Sequence, residues 1–287
     1  MNATWAVALG LIEQVKQIAA RFTEHRTSLI AGGLAYFVAL AVAPAAIVIG
    51  GIAGMIIGPD NLQTLMDDVF SRSPLPAQAL RPVTDAIVSA SGDASAGAIT
   101  VASIISLGVA VYAASKVVYG LRMAMDTAFE VSPKYRGMLG RVTATLITLL
   151  GILATVAGIV LLTVVPHVLS FLGVSGPHLL TGPGVIDWLL AAVLLWLGVR
   201  WTMRRAPNRD QRIPFLSLGA IGSTLWILAA SAGVGIYVNY SSTLGAAIAL
   251  FGAPIVLLLW FYLCFLGLLY GAEVEATNSR KSNSALN

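Results

Sequence analysis

The stretch LGAAIALFGAPIVLLLWFYLCFLGLLYGA, residues 244–272, contains no acidic or basic side chain. At 1.5 Å per residue, an apolar helix of this length overshoots the roughly 30 Å hydrocarbon core of a bilayer. A helix on the surface of a soluble protein keeps a polar face for water, and this stretch has none. It therefore reads as a membrane crossing, and that reading decides the fold class. The run extends upstream without a charge from Arg212 to Glu273, which is too long for one crossing. The polar patch Asn239-Tyr240-Ser241-Ser242-Thr243 divides it into two.

Working outward, four more apolar stretches appear, at Leu29 to Ile57, Ala96 to Tyr119, Val142 to Val165 and Val185 to Met203. The expected fold is all-α and integral to the membrane, with six transmembrane helices. Composition agrees: 57% of the 287 residues are hydrophobic and 10% charged, against about 25% charged in soluble domains. Mean hydropathy is +0.86. This excludes an ordinary soluble globule, a disordered chain and a nucleic-acid binder of the usual basic kind. The single cysteine, Cys264, excludes an intramolecular disulfide framework.

The basic residues set the expected orientation. Lys16, Arg21 and Arg26 precede the first span, and Arg122, Lys134, Arg136 and Arg141 follow the second. Arg200, Arg204, Arg205, Arg209 and Arg212 surround the fourth-to-fifth connection, and Arg280 and Lys281 lie in the tail. The alternate loops hold only Arg72 and Arg81, beside Asp60, Asp67, Asp68, Asp85 and Asp93. Both termini are expected inside. The net charge of +4 thus reports topology rather than an anionic partner.

Three regions follow. Residues 1–28 read as a cytoplasmic interfacial helix, with Trp5, Leu9, Ile12, Ala19 and Phe22 on one face opposite Glu13, Gln14 and Lys16. They do not read as a signal peptide, because no basic leader precedes Trp5. Residues 29–277 form the transmembrane domain and 278–287 a cytoplasmic tail. Within the domain, the external loop 59–95 is expected to be helical. Leu62, Leu65, Met66, Val69 and Phe70 follow helical spacing, and a second stretch holds Leu80, Val83 and Ile87.

The chain resembles the YihY/BrkB family of bacterial inner-membrane proteins, once misnamed ribonuclease BN. Four stretches carry the likeness. They are Ala31-Gly32-Gly33-Leu34-Ala35-Tyr36-Phe37 leading to Pro44, and Leu121-Arg122-Met123-Ala124-Met125-Asp126-Thr127-Ala128-Phe129-Glu130-Val131. The others are Ile213-Pro214-Phe215 with Gly219-Ala220 and Trp226, and Leu259-Trp260-Phe261-Tyr262 with Tyr270-Gly271-Ala272-Glu273-Val274-Glu275-Ala276. Two positions depart from the family pattern, Asp126 in place of asparagine and Ser241-Ser242-Thr243-Leu244-Gly245 before the last helix. The resemblance implies a role in envelope integrity and suggests transport of a lipid-like or small polar molecule.

Ionisable groups at membrane depth are costly and are functional candidates by default. Lys116 lies inside the second span near its expected end, where it either snorkels to the headgroups or faces a cavity. Arg122, Asp126 and Glu130 stand four apart, so Arg122 and Asp126 are spaced for an ion pair. Glu273, at the end of the sixth span, is expected level with Arg122 or Lys116, as a tie between helices or as a gate. Pro44 and Pro254 interrupt their spans, and transporters place sites at such breaks. Tyr36 is the polar side chain nearest Pro44. The candidate cavity or gate is therefore Tyr36, Pro44, Lys116, Arg122, Asp126, Pro254 and Glu273.

The small-residue ladder Ala31, Ala35, Ala39, Ala43, then Gly50, Gly54, Gly58 allows close helix packing, within the monomer or in a homodimer. No catalytic, cofactor or metal motif appears. His25, His167 and His178 lack ligand spacing, and no phosphate-binding G-x-x-x-x-G-K-[ST] loop exists. The expected partners are membrane lipids and an unidentified lipid or small-molecule substrate, with no nucleic acid. The leading expectation is a non-ATP-driven transporter or flippase in the bacterial inner membrane, crossing it several times. The alternative is a non-transporting scaffold that supports the envelope through protein partners.

Overall fold

The computed structural model describes residues 13, 16–58, 60–64, 66, 85, 87–89, 101–132, 137–140, 142–146, 185–208, 217–241 and 246–284. Five long helices lie in these segments: α1 Thr27–Ile57, α2 Val101–Ala128, α3 Val185–Arg205, α4 Leu218–Ser241 and α5 Ala246–Ser284. No strand occurs among the described residues. α1, α2, α4 and α5 are long and apolar enough to cross a membrane, over Thr27–Val48, Ile104–Ala128, Leu218–Tyr237 and Pro254–Arg280. Large aliphatic side chains point outward along them, Leu29, Ile104, Leu225 and Ile255 each being more than half exposed. That suits a chain whose outer surface meets hydrocarbon.

Of the six expected spans, these four have the required length and apolarity. The fourth stretch forms helix α3, with Asp187 and Arg200 inside it and Arg204 and Arg205 in its last turn. The third shows helix at 142–146, and the remainder lies outside the described residues. α2 continues nine residues beyond Tyr119 to Ala128, as the four-residue spacing of Arg122, Asp126 and Glu130 expects, because Gly120-Leu121-Arg122-Met123-Ala124-Met125-Asp126-Thr127-Ala128 contains no breaker except one glycine. One length differs from expectation. α5 does not stop at Ala272 but runs to Ser284 through most of the expected tail. At 39 residues it is roughly 58 Å long. Both prolines sit inside continuous helices, Pro44 in α1 and Pro254 in α5.

The packed core is concentrated at one end of the bundle. Ala31 and Leu34 come from the start of α1 and Ala220 from the start of α4. Met125 and Ala128 end α2, Val199 and Met203 end α3, and Leu269, Ala272 and Ala276 lie late in α5. These termini therefore share one end, as an alternating bundle requires. Ala31 and Ala35 of the ladder are buried inside the monomer, whereas Ala43 is exposed. Leu34 reaches so near Gly120 of α2 that an added Cβ there would lie 3.0 Å from its Cδ2.

α4 and α5 make the most extensive helix pair, and small residues bring them together. A side chain at Gly271 would run into Ser223 Oγ and the Gly219 carbonyl, and one at Gly267 into the Trp226 ring. With hydrocarbon outside, apolar burial gives little drive between helices, so close packing and hydrogen bonds carry the contact. Ser223 Oγ donates to the Gly267 carbonyl at 2.9 Å and Trp226 Nε1 to the Leu263 carbonyl at 3.0 Å. Trp260 Nε1 donates to Ser231 Oγ at 3.0 Å.

The far end agrees with part of the expected loop. Leu62 and Met66 are buried while Asn61, Gln63 and Thr64 are exposed. Ile87 is also buried, its carbonyl lying against α1 at Gly50. Leu65, Val69, Phe70, Leu80 and Val83 lie outside the described residues.

Candidate functional site

At the packed end, a helical segment at 16–24 precedes α1 and docks on the bundle. Its buried or half-buried positions are Ile18, Arg21, Phe22 and His25, spaced i, i+3, i+4, i+7, whereas Ala19 is exposed. The inward face thus carries two cationic or titratable groups, not the wholly apolar face expected. Phe22 packs edge-on against Tyr270 of α5 with ring centroids 6.0 Å apart. Just beyond, Ser28 Oγ shares a 2.8 Å hydrogen bond with Tyr262 Oη.

Arg21 and His25 converge on Glu273, whose side chain is 1% exposed. His25 Nδ1 lies 2.6 Å from Glu273 Oε1; with a carboxylate as acceptor, that nitrogen carries the proton. Arg21 Nε stands 3.6 Å from Glu273 Oε2. The same guanidinium donates from Nη2 to Glu130 Oε1 at 2.6 Å and to the Ala128 carbonyl at 3.2 Å. Its Nη1 reaches Thr277 Oγ1 at 3.5 Å. Arg280 Nη2 completes the cluster, 2.6 Å from Glu130 Oε2. One arginine therefore joins the N-terminal segment to both α2 and α5.

Charge burial explains the partners. A carboxylate taken out of water costs several kcal/mol unless it is paired and hydrogen-bonded. Glu273 meets that requirement in part, and only through the N-terminal segment: Oε1 is hydrogen-bonded to His25, while Oε2 has the Arg21 charge at 3.6 Å but no hydrogen bond. Glu130 is about half exposed and in an easier position. The hydrogen bond from Arg280 holds its carboxyl below the ordinary value of 4.5, helped by the charges of Arg280, Arg21 and His25 and opposed by partial burial.

Backbone strain borders the cluster on both sides. The positive-φ residues other than glycine are Arg26 and Glu130, each with φ of 50°, among the described residues. Such a conformation costs a residue with a Cβ roughly 1 kcal/mol or more. Glu130 closes α2: its N–H donates to the Thr127 carbonyl at 3.0 Å, and the Val131 N–H donates to the Asp126 carbonyl at 2.9 Å. This paired closure favours glycine at the left-handed position, yet a glutamate held by two arginines occupies it. Arg26 forms the turn between the docked segment and α1.

The seven candidates from the sequence do not form one site. Glu273 belongs to the cluster, but with His25 and Arg21 instead of Arg122 or Lys116. The helix does continue past the second span as expected, to Ala128, but the residues that meet the Glu273 cluster are Ala128 and Glu130 at its end rather than Arg122 or Lys116. Arg122 does not close on Asp126 and instead donates to Thr143 Oγ1 at 3.3 Å. Asp126 accepts from the backbone N–H of Asn208 at 2.8 Å, tying α2 to the chain after α3. Lys116 lies twelve residues before the end of α2, with its Nζ 5.3 Å from the Tyr112 ring centroid. Tyr36 is 56% exposed and edge-on to Phe37, on the outside of the bundle. Pro44 and Pro254 lie within their helices away from the cluster.

Arg21, His25, Glu130 and Arg280 complete the site that the sequence only touched at Glu273. For Arg21 and His25 the inward orientation had a local signal, since Ile18, Arg21, Phe22 and His25 fall on one helical face. Counting Arg21 as a topology charge concealed it. A second buried glutamate, Glu275, serves the α4 junction. Its Oε2 accepts from Ser217 Oγ at 2.6 Å and from the Gly219 N–H at 3.3 Å, while Ser217 Oγ accepts from the Ala220 N–H at 3.1 Å. This is an N-terminal cap reinforced by an anion from another helix.

Comparison with known proteins adds three findings. The family described as virulence factor BrkB matches residues 18–287, covering all but the first two residues of the docked segment and all five helices. A ribonuclease-like protein of Bacillus subtilis (strain 168), YfkH, is 25% identical over 275 residues, covering 91% of this chain and 94% of that protein. No solved structure matches.

Proposed function

Because the chain belongs to the BrkB family and carries apolar helices able to cross a membrane, we propose a bacterial inner-membrane protein of envelope integrity. It works as a non-ATP-driven transporter or flippase of a lipid-like or small amphipathic molecule. The observation that carries this reading is the docking of the segment at 16–24 through Arg21 and His25 onto the buried Glu273. A permanent joint is more cheaply built from apolar side chains. An ionic joint between strained turns can open and close, as a mouth between helix ends must. The excess of Lys and Arg near this end places it, in this reading, on the cytoplasmic side, with six crossings and both termini inside.

No G-x-x-x-x-G-K-[ST] loop is present in the sequence, which supports a non-ATP-driven reading. The name of the Bacillus relative raises RNA cleavage. That chemistry needs a metal or an acid–base cluster at exposed substrate, and our reading assigns none. The packed apolar core at the same end favours one second reading, a non-transporting scaffold that engages protein partners.

The test is translocation of a fluorescent phospholipid across proteoliposomes containing the full chain. The transport reading expects faster translocation than protein-free vesicles, and a further rise for Glu273→Gln, which loosens the joint. Folded wild-type protein that moves neither the phospholipid nor a single-chain amphiphile would favour the scaffold.

A further inference from the structure

Glu130 presents both carboxylate oxygens to two separate guanidinium groups, Oε1 to Arg21 Nη2 and Oε2 to Arg280 Nη2, each at 2.6 Å. The arginines come from different parts of the chain, one from the docked segment and one from the end of α5. Together they form a two-pronged fork for a tetrahedral or planar oxyanion, the recognition to which arginine is best suited. The occupant is not buried: the Glu130 side chain is 48% exposed and Arg280 45%. Glu130 is also held at φ 50°, where glycine would be at ease. A protein that needed only a helix end here would do better with glycine.

We propose that Glu130 is an internal stand-in, occupying a binding site for a phosphate-bearing anion formed by Arg21 and Arg280. The neighbouring charges agree. Glu273 is already engaged with His25 and lies next to Arg21, so it offsets only one of the two arginines. When Glu130 swings away, the fork keeps an unbalanced positive charge, and an incoming phosphate restores neutrality. Thr277 Oγ1, within 3.5 Å of Arg21 Nη1, is an additional polar group beside the fork. The site lies at the converging ends of α2 and α5, where the apolar part of each helix gives way to charge. A phosphate there is either the headgroup of a lipid or a free phosphate compound. Calling this anion the substrate rests on the transport reading; its binding does not.

The decisive prediction is one of sign. If Glu130 competes with the ligand, removing its carboxylate tightens binding, whereas losing a purely structural ion pair does not. Glu130→Gly removes the carboxylate and also suits the left-handed backbone, so this variant folds. Binding of phosphatidic acid in mixed micelles to the full-length protein is measured for wild type, Glu130→Gly and Arg280→Gln. Inorganic phosphate and glycerol phosphate serve as competitors, and phosphatidylcholine micelles as the zwitterionic control. We expect Glu130→Gly to bind about tenfold more tightly and Arg280→Gln about tenfold more weakly, each the equivalent of one charge-assisted contact. Equal displacement by the soluble phosphates identifies a soluble anion as the ligand class, and resistance to them identifies the lipid headgroup. Unchanged or weaker binding by folded Glu130→Gly overturns the proposal. If wild type still translocates lipid in that case, the transport reading stands without this site. Tighter binding with no translocation keeps the site and removes the transport reading.

Discussion

Glu273 and Glu275 are two residues apart on α5, both almost fully buried, and their surroundings differ in kind. Glu275 turns toward α4, where a serine hydroxyl and a backbone N–H at a helix N-terminus receive it. These donors do not titrate near neutral pH, and they belong to helices locked by Gly219, Ser223, Gly267 and Gly271. Glu273 turns the other way, toward a histidine and an arginine on a segment joined to α1 through the strained turn at Arg26. Both carboxylates face the same burial requirement. Glu275 meets it within a fixed joint, whereas Glu273 Oε2 has no hydrogen-bond partner and depends on the 3.6 Å ion pair with Arg21. A buried acid in a membrane bundle is therefore not functional by burial alone; the kind of partner it meets, and how that partner is held, decide.

The fixed joint should break hardest. Gly271→Leu forces a side chain into Ser223 and the Gly219 backbone, so α4 and α5 must separate, at an expected cost of about 3 kcal/mol or more. Thermal unfolding in detergent checks this, and an unchanged midpoint would mean that the close crossing is not essential. Glu275→Ala leaves Ser217 and the start of α4 without their acceptor, at about 1–3 kcal/mol. Glu275→Gln keeps an acceptor and should lose much less. Equal losses for the two would show that charge rather than hydrogen bonding matters there.

The smallest effect belongs to the exposed part of the ionic cluster. Arg280 holds the Glu130 carboxyl below its ordinary value of 4.5, so the pair's contribution is complete above about pH 4.5. It is lost as pH falls through the lower, folded-state value. Because both groups are about half exposed, solvent screening limits the contribution to about 0.2–1 kcal/mol. Wild type should therefore exceed Arg280→Gln in stability at pH 7 by this small margin, and the gap should close in acid. A gap that persists when Glu130 is protonated would assign Arg280 a different role.

What the sequence disclosed follows the same division. α1, α2, α4 and α5 were legible because apolar length is a local property, and Asn239 to Thr243 marked the break between α4 and α5 for the same reason. The extension of α5 to Ser284 was not. Charged residues there ended the apolar count, although nothing ended the helix. The partners of Glu273 were harder still. His25 lies 248 positions away, and no local spacing records such a pairing. Arg122 and Lys116 are the basic residues nearest the end of the second apolar run, yet the chain meets the Glu273 cluster further on, at Ala128 and Glu130. Lysines and arginines near membrane helices also carry two messages, orientation and contact, and orientation alone accounted for Arg21 until the structure placed it between Glu130 and Glu273.

The most direct test of the contrast is backbone hydrogen exchange on the full-length protein in lipid nanodiscs, for wild type, Glu273→Gln and Glu275→Gln. The segment at 16–25 should exchange faster in Glu273→Gln, while residues 218–231 of α4 stay protected. Glu275→Gln should leave the N-terminal segment unchanged. If exchange at 16–25 does not respond to Glu273→Gln, or rises equally in both variants, the N-terminal segment is not held by a releasable ionic joint and the account is contradicted.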